Sequence, residues 1–239
     1  MKTDITKYQD KKTENIYNFK NKDEYSYKTI GLTEDVIREI SKQKNEPDWM
    51  LELRLKALKT YEKLDMPTWG PDLSELDLSK IATYVRPKTD MKKSWDDVPE
   101  DIKGTFDKLG IPEAEKESLA GVGAQYDSEI VYHSIKDELV KQGVIYTDFD
   151  TAVKEYPELV KQYFMKCVPV TDHKFIALHY AVWSGGSFVY VPKGVKLDIP
   201  LQSYFRLNAP GAGQFEHTLI IVEAGASLQF IEGCSAPKY

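Results

Sequence analysis

The chain has 239 residues, a formal net charge of −6 and a pI near 5.4. This length allows one or two domains with a sizeable core, and the acidic balance argues against nucleic-acid binding. No apolar run approaches the roughly 20 residues of a membrane span, and the polar N-terminus lacks a secretory signal. Two cysteines without a CxxC pair exclude a disulfide framework and a zinc ribbon. We expect a cytoplasmic protein with reduced thiols.

The first half of the chain begins with a polar stretch and then becomes helical. Residues 1–30 are lysine-rich, with three isoleucines as their only aliphatic residues, which predicts a flexible or loosely docked arm. A helix is predicted over 32–45 with Thr33 as its N-cap, and a second helix over 48–64 follows Pro47. An extended connector is predicted from there to Pro87.

The segment from 94 to 183 alternates short helical and strand patterns. Helices are predicted over 94–110, 112–121, 137–142, 150–156, 157–167 and 172–183, and strands over 128–133 and 144–146. Gly185 and Gly186 end the last helix, and the hydrophobic period changes there from helical to strand-like. We therefore predict a mostly helical domain over 31–183 and a second domain over 184–239.

Residues 185–239 form a ladder of short β-type runs punctuated by Gly and Pro. Strands are predicted over 187–191, 195–199, 201–207, 217–222 and 227–232, because these runs are rich in Val, Ile, Phe and Tyr. The corner Val191-Pro-Lys-Gly194-Val195 returns 31 residues later as Val222-Glu-Ala-Gly225-Ala226. A glycine corner at a fixed offset favours stacked coils, as in a β-helix.

The order of several segments resembles the SufB family of the SUF iron–sulfur cluster assembly machinery. The segments are GLTEDVIREISKQKN near the N-terminus, then GGSFVYVPKGV, LQSYFRLN, GQFEHTLIIVEAGA and EGCSAPKY. The resemblance implies an α+β fold: a mostly helical N-terminal domain followed by the first coils of a right-handed parallel β-helix. It further implies that the chain corresponds to the family's N-terminal half.

The resemblance also carries expectations about function. It implies a scaffold rather than an enzyme, which takes up sulfur and assembles iron–sulfur clusters transiently on the intact protein. The implied partners are a SufC-like ATPase that hydrolyses ATP, a SufD-like paralogue, and a cysteine desulfurase system as sulfur donor. Two thiols are too few for a four-cysteine cluster, so none is expected to stay bound to this part. The open β edge is expected to favour self-association.

Cys234 is the first candidate functional residue. It follows Gly233 and precedes Ser235-Ala236-Pro237, which predicts a corner rather than a strand interior. A lone cysteine is commonly a small, inert, buried side chain. A chemical role requires a thiolate, stabilised by a nearby cation or hydrogen-bond donor. The family resemblance implies the chemical role, because the matching cysteine lies along an internal path for sulfur.

Arg206 and Asn208 are the second candidates. In a strand they share one face with Gln202 and Tyr204, since side chains two residues apart project together. Two interpretations are open: a solvated outer face, or a polar row inside the coil where the guanidinium stabilises a thiolate or persulfide at Cys234. The resemblance favours the inner position, because YFRLN is similar to the family's YFRIN segment.

Other chemistries have weaker support. The four histidines have no metal-ligand spacing, and we expect hydrogen-bonded or surface residues. GGSF lies between a helix and a strand, the reverse of a phosphate-binding loop. Short strands punctuated by Gly and Pro also suit a cupin-like β-barrel metalloprotein, and coils suit a carbohydrate-active β-helix protein. The first needs clustered histidine and carboxylate ligands, and the second needs two carboxylates in a cleft.

Overall fold

The computed structural model describes residues 25–92, 94–108 and 119–237. Within these ranges the helices are α1 (Glu34–Lys44), α2 (Asp48–Lys63), α3 (Glu100–Lys108), α4 (Asp137–Lys141), α5 (Phe149–Glu155), α6 (Pro157–Tyr163) and α7 (Lys174–Val182). The strands are β1 (Tyr25–Ile30), β2 (Ala82–Pro87), β3 (Gly121–Tyr126), β4 (Glu129–Ile135), β5 (Ile145–Asp148), β6 (Ser187–Val191), β7 (Leu201–Arg206), β8 (Leu219–Val222) and β9 (Phe230–Ser235). Short 3₁₀ turns occupy Leu78–Lys80 and Trp95–Asp97. No helix in this part of the chain is both long and apolar enough to cross a bilayer.

Local capping chemistry sets the helix ends. The Thr33 hydroxyl accepts a hydrogen bond from the Val36 amide at 3.2 Å and so begins α1. Asn45 adopts the left-handed conformation and ends it. Asp148 caps α5 in the same way, accepting from the Thr151 amide at 2.8 Å. These helices lie close to their predicted bounds because a cap acts within one turn of chain.

The strands form a two-stranded sheet and two larger sheets. The order in the four-stranded sheet is β4-β3-β7-β9, and in the three-stranded sheet β5-β6-β8. After β5 the chain passes from β6 in the three-stranded sheet to β7 in the four-stranded sheet. It then returns to the first sheet as β8 and to the second as β9. β8 pairs parallel with β6, and β9 pairs parallel with β7. The fold is thus mixed α/β with open sheets and no closed barrel in the described residues. A right-handed β-helix stays a prediction.

The 31-residue sequence repeat corresponds to a structural repeat. Val191 lies in register with Val222, and Lys196 forms an isolated parallel bridge with Ser227. The corner glycines Gly194 and Gly225 have φ values of +75° and +74°. Both corners therefore have the same left-handed turn, which glycine adopts without steric cost.

Three large cores separate the layers, and a small fourth cluster consists of Ala82, Val85 and Ala209. In the largest, α1, α2, α5, α6 and α7 pack against the outer face of the three-stranded sheet. A second core fills the space between the two larger sheets, with Val189, Val191 and Leu201 at its centre. In the third, α3 packs on the outer face of the four-stranded sheet. The four-stranded sheet is therefore covered on both faces except at its edge strand β9, where Ile231 is 45% exposed.

Several predicted elements need correction. The predicted flexible arm is wrong for Tyr25–Ile30, because these residues pair antiparallel with β2; residues 1–24 lie outside the described ranges. The predicted connector contains β2, and β3 was not predicted. The predicted strand over 195–199 is instead a turn region with a single bridge at Lys196. The predicted helix over 112–121 falls mostly outside the described residues.

The division into two domains at residue 184 stays a prediction. Hydrogen-bonded strand pairs cross it, since β3 pairs with β7 and β5 pairs with β6. Both larger sheets therefore contain strands from each side of residue 184.

The joint between α7 and β6 requires glycine. Gly186 has a φ of +92°, and a Cβ there would overlap the backbone of His217. We expect Gly186→Ala to lower the free energy of unfolding by about 2–5 kcal/mol, because strain and overlap add. Chemical denaturation would measure this change.

Gly104 provides the matched control. It lies inside α3 with open space where a Cβ would stand. Gly104→Ala should stabilise the protein by about 0.5–1 kcal/mol, because alanine is the better helix former. Equal effects of the two substitutions would contradict the steric account of the joint.

Candidate functional site: the space between the two sheets

The register of the parallel strands decides which side chains face the space between the sheets. Leu201 belongs to the core between the sheets, and Ser203 reaches Ser187 on the opposite sheet. Odd-numbered side chains of β7 therefore point inward. Residues paired in register project from the same face of a sheet. Phe230, Glu232 and Cys234 are in register with Leu201, Ser203 and Phe205, so they point inward too.

Cys234 lies inside β9 rather than at a corner, which corrects the prediction. Its partner on β7 is Phe205, and the parallel ladder runs on through Ser235. The thiol is exposed because β9 is the edge strand of its sheet as described. Cys234 thus stands at the open end of the space between the sheets.

Strand β8, at the edge of the three-stranded sheet, shows that the space opens at the same end. Ile220 and Val222 on β8 are in register with Val189 and Val191, which are fully buried. Ile220 and Val222 are nevertheless 39% and 44% exposed. The inward-facing side chains of β8 and β9 are exposed or partly exposed, because no described strand pairs with the outer edge of either strand.

Arg206 occupies neither of the two predicted environments. It is in register with Tyr126 and Ser235, and it is only 1% exposed. It therefore shares the outer face of the sheet with Tyr204, whose ring meets Phe106 of α3 edge-on at 6.1 Å. The predicted proximity of the guanidinium to the Cys234 thiol is wrong, because adjacent strand positions alternate between faces.

The Arg206 guanidinium contacts β9 directly. Its Nη1 donates to the Ser235 hydroxyl at 3.0 Å. Ser235 directly follows Cys234, so this bond ties the edge strand to β7 one residue beyond the thiol. The solvated-face interpretation also fails, because Arg206 is buried.

Asn208 lies just beyond β7 and is buried, with 1% exposure. Its backbone N–H donates to Asp127 Oδ1 at 2.6 Å, and the next amide, of Ala209, donates to the same oxygen at 2.9 Å. Asp127 itself has a φ of +52° in the turn between β3 and β4. This carboxylate therefore fixes the turn that follows Arg206.

A row of hydroxyl groups crosses the space between the sheets. The Tyr146 hydroxyl lies 2.8 Å from Ser203 Oγ and donates to the Gln202 carbonyl at 2.6 Å. Ser203 Oγ in turn lies 2.5 Å from Ser187 Oγ. Burial raises the pKa of Tyr146, so its hydroxyl stays protonated. Sequence patterns did not indicate this row, since its members come from three strands far apart in the chain.

Two glycines make room for Tyr146. A Cβ at Gly123 would lie 2.9 Å from the tyrosine oxygen, and one at Gly121 would lie 2.9 Å from its ring. The GVG segment of β3 was therefore the sequence signal for a close approach.

Carboxylates continue the polar row toward the open end. Glu232 is in register with Ser203, and its Oε2 accepts from the hydroxyl of Thr218, the residue before β8, at 3.2 Å. Burial raises the pKa of nearby Glu216, and Glu232 adds to the shift. Among the described residues, no group of three or more His, Cys, Asp or Glu side chains is arranged to hold a metal ion.

Two histidines lie elsewhere, at the junction of the helices and the three-stranded sheet. His179 Nε2 and His217 Nδ1 are 2.8 Å apart, which confirms the prediction of hydrogen-bonded histidines for this pair. The rings of Phe149, Phe164 and Trp183 surround His217. Burial lowers the pKa of His179 to about 4 and that of His217 to about 3.

Comparison with known proteins identifies the family of this chain. The family model described as the SufBD protein N-terminal region matches residues 28–203. An iron–sulfur cluster assembly SufBD family protein of Staphylococcus haemolyticus (strain JCSC1435) is 60% identical over 209 residues, covering 87% of this chain and 45% of the relative. Proteins of the same description from Staphylococcus aureus strains MRSA252 and USA300 are 60% and 59% identical over the same lengths.

The chain spans about half the length of the curated relatives it matches. The match to the family model covers all seven described helices and strands β2 to β6, with parts of β1 and β7. The chain belongs to the SufBD family of iron–sulfur cluster assembly proteins and carries that family's N-terminal region.

Proposed function

We propose that this chain is the N-terminal part of a SufB-type scaffold that takes up sulfur and passes it inward for iron–sulfur cluster assembly. The observation that carries the proposal is the position of Cys234. Its side chain projects into the space between the sheets, where that space opens, and next to a row of polar groups. In the whole protein, further coils of a right-handed parallel β-helix would extend this space.

The chemistry at Cys234 would be persulfide exchange. The Cys234 thiolate attacks the outer sulfur of a persulfide on a cysteine desulfurase system or its carrier. The S–S bond of the donor breaks, the donor leaves as a thiolate, and Cys234 becomes the persulfide. One sulfur atom moves with no net oxidation or reduction. The cluster is the cargo of this process.

Arg206 and Asn208 would act on this path as positioning residues. Arg206 holds β9 through Ser235, and Asp127 anchors the backbone at Asn208. Both contacts stabilise the end of β7, against which Cys234 pairs. The partners we infer are a SufC-like ATPase, which would hydrolyse ATP, and a SufD-like paralogue. Cytoplasmic location and self-association through the open edge stay predictions.

The proposal is tested by substitution of Cys234 in the full-length protein. Cys234→Ser should reduce cluster formation, with persulfide donor and iron supplied, to the background obtained without donor. In the present chain, where the side chain is exposed, the free energy of unfolding should change by less than about 1 kcal/mol. Iron and sulfide analysis with the absorption spectrum would measure the yield.

Cys167 is the matched control, since it is also an exposed free thiol but lies between α6 and α7. Cys167→Ser should keep the wild-type yield. A Cys234→Ser protein that assembles clusters normally would reject the proposal and leave Cys234 as an inert edge residue.

A further inference from the structure

A solvent-open groove of about 560 Å³ is lined by residues of α2, of α6 and of the segment that follows α6. Its floor is apolar and is formed by Trp49, Leu53, Phe164, Met165 and Val170. Trp and Met are enriched at protein interfaces, where they bury large adaptable surfaces. Val168, the chain neighbour of the lining residue Pro169, is 40% exposed.

The rim of the groove is positive, although the chain as a whole carries −6. Lys56, Lys161 and Lys166 line it, against the single carboxylate of Glu52. Lys161 lies over the Trp49 ring at 5.5 Å and pairs with Glu158 at 3.1 Å. The side chains of Lys56 and Lys166 form no ion pair with any described residue. The rim therefore presents two cations that lack a partner within the described chain.

We propose that this groove, which we call the α2/α6 groove, binds an acidic amphipathic segment of a partner protein. Apolar side chains of the segment would cover the floor, and its carboxylates would pair with Lys56 and Lys166. An open groove does not enclose a small ligand on most sides, as small-molecule pockets do. A segment of protein chain, by contrast, covers both the groove and the exposed surface at Val168.

This inference goes beyond the proposed function and does not depend on it. The groove lies on helices, whereas Cys234 and the polar row lie on strands. Loss of binding at the groove would leave persulfide exchange at Cys234 untouched in a reconstitution without partners. Failure of one proposal is therefore distinguishable from failure of the other.

The test uses a fluorescein-labelled peptide of about four helical turns, with Leu on one face and Glu elsewhere. Fluorescence anisotropy would measure its binding to the whole chain. We expect saturable binding that weakens with salt and weakens at least about tenfold in Lys56→Glu/Lys166→Glu, a loss of about 1.4 kcal/mol. The matched control, Lys59→Glu/Lys63→Glu, changes the net charge equally on α2 but outside the groove, and it should bind the peptide normally.

Any one of five results would overturn the proposal. The peptide does not bind, or a peptide with Lys in place of Glu binds equally well. The control variant loses as much affinity as the groove variant. Decanoate displaces the peptide at similar concentrations, which would indicate a small-amphiphile site. Sedimentation shows that Lys56→Glu/Lys166→Glu abolishes a dimer, which would assign the groove to a second copy of the chain. Circular dichroism of both variants would confirm that the exposed substitutions leave the fold intact.

Discussion

Replacing Arg54 by methionine is expected to lower the free energy of unfolding by about 3–5 kcal/mol. Arg54 is fully buried on α2, and its Nε and Nη2 donate to Glu46 at 2.9 and 2.5 Å. It also donates to the carbonyls of Ala181 and Trp183 at the end of α7, at 3.1 and 2.9 Å. Methionine would leave the buried Glu46 carboxylate and both carbonyls without these donors.

The same guanidinium lies 4.4 Å from the centre of the Trp183 ring. It therefore joins α2 to the end of α7, where the chain enters the first strand of the parallel ladder. A loss of this size corresponds to a fall in Tm of about 10 °C for a chain of this length. Thermal unfolding followed by circular dichroism would measure it.

Arg38 supplies a matched control, because it is also a helical arginine paired with a glutamate. Its pair with Glu34 is about half exposed and spans one helical turn. Arg38→Met should therefore cost no more than about 0.5 kcal/mol. The double variant Arg54→Met/Glu46→Gln should recover part of the loss, since it removes the unpaired charge. Equal costs for Arg54→Met and Arg38→Met would show that the buried network contributes little.

Acidification from pH 7 to pH 5 is expected to destabilise the fold strongly. Burial lowers the pKa of His133 to about 4, that of His179 to about 4 and that of His217 to about 3. Arg54 adds to the lowering of the pKa at both His179 and His217, and His179 adds further to that of His217. In the unfolded chain these histidines titrate near 6.5.

The sign follows from proton uptake. Between about pH 4 and 6.5 the unfolded chain binds protons that the folded chain does not, so stability falls as the pH falls. Each histidine contributes about 1.4 kcal/mol per pH unit in this window. Asp148 and Glu216 act in the opposite direction, because burial raises the pKa of each in the folded state. The free energy of unfolding should therefore fall by about 1.4–4 kcal/mol per pH unit as the pH falls. The upper figure counts the three histidines alone, and the lower figure subtracts the two opposing carboxyl groups.

Denaturant unfolding at pH 7, 6 and 5 would measure this slope. The double variant His179→Leu/His217→Phe removes two of the three titrating groups and should flatten the profile. Stability that stays constant or rises from pH 7 to pH 5 would contradict the assignment of neutral histidines. An unchanged slope in the double variant would show that the pair at the helix–sheet junction is not responsible.

Local features were readable from the sequence alone. The Thr33 cap, the helix after Pro47 and the 31-residue glycine corner all depend on residues within one turn of chain or on an exact internal repeat. The hydrophobic pattern of β6 and β7 likewise placed these strands within one residue of their observed ends. The family resemblance, carried by ordered segments, is confirmed by the match to the SufBD N-terminal region.

Features that depend on distant partners were not readable. β3 has the sequence GVGAQY, whose glycines disfavour a strand until β4 and β7 pair with both of its edges. Arg54 stands among alternating leucines and charges, and nothing in that pattern indicates that it is buried. Its burial depends on Glu46 and on the carbonyls of α7, which meet it only in the folded chain.

The sequence by itself determined the helix caps, the repeat and the family, because each rests on short-range conformational preference or on residue identity. Only the tertiary structure decided that Cys234 and Arg206 project from opposite faces. Periodicity shows that side chains alternate along a strand, but the face that becomes the interior depends on which sheets and helices cover it. For β9 that choice comes from its register with β7, whose inner face is defined by contacts with β5 and β6.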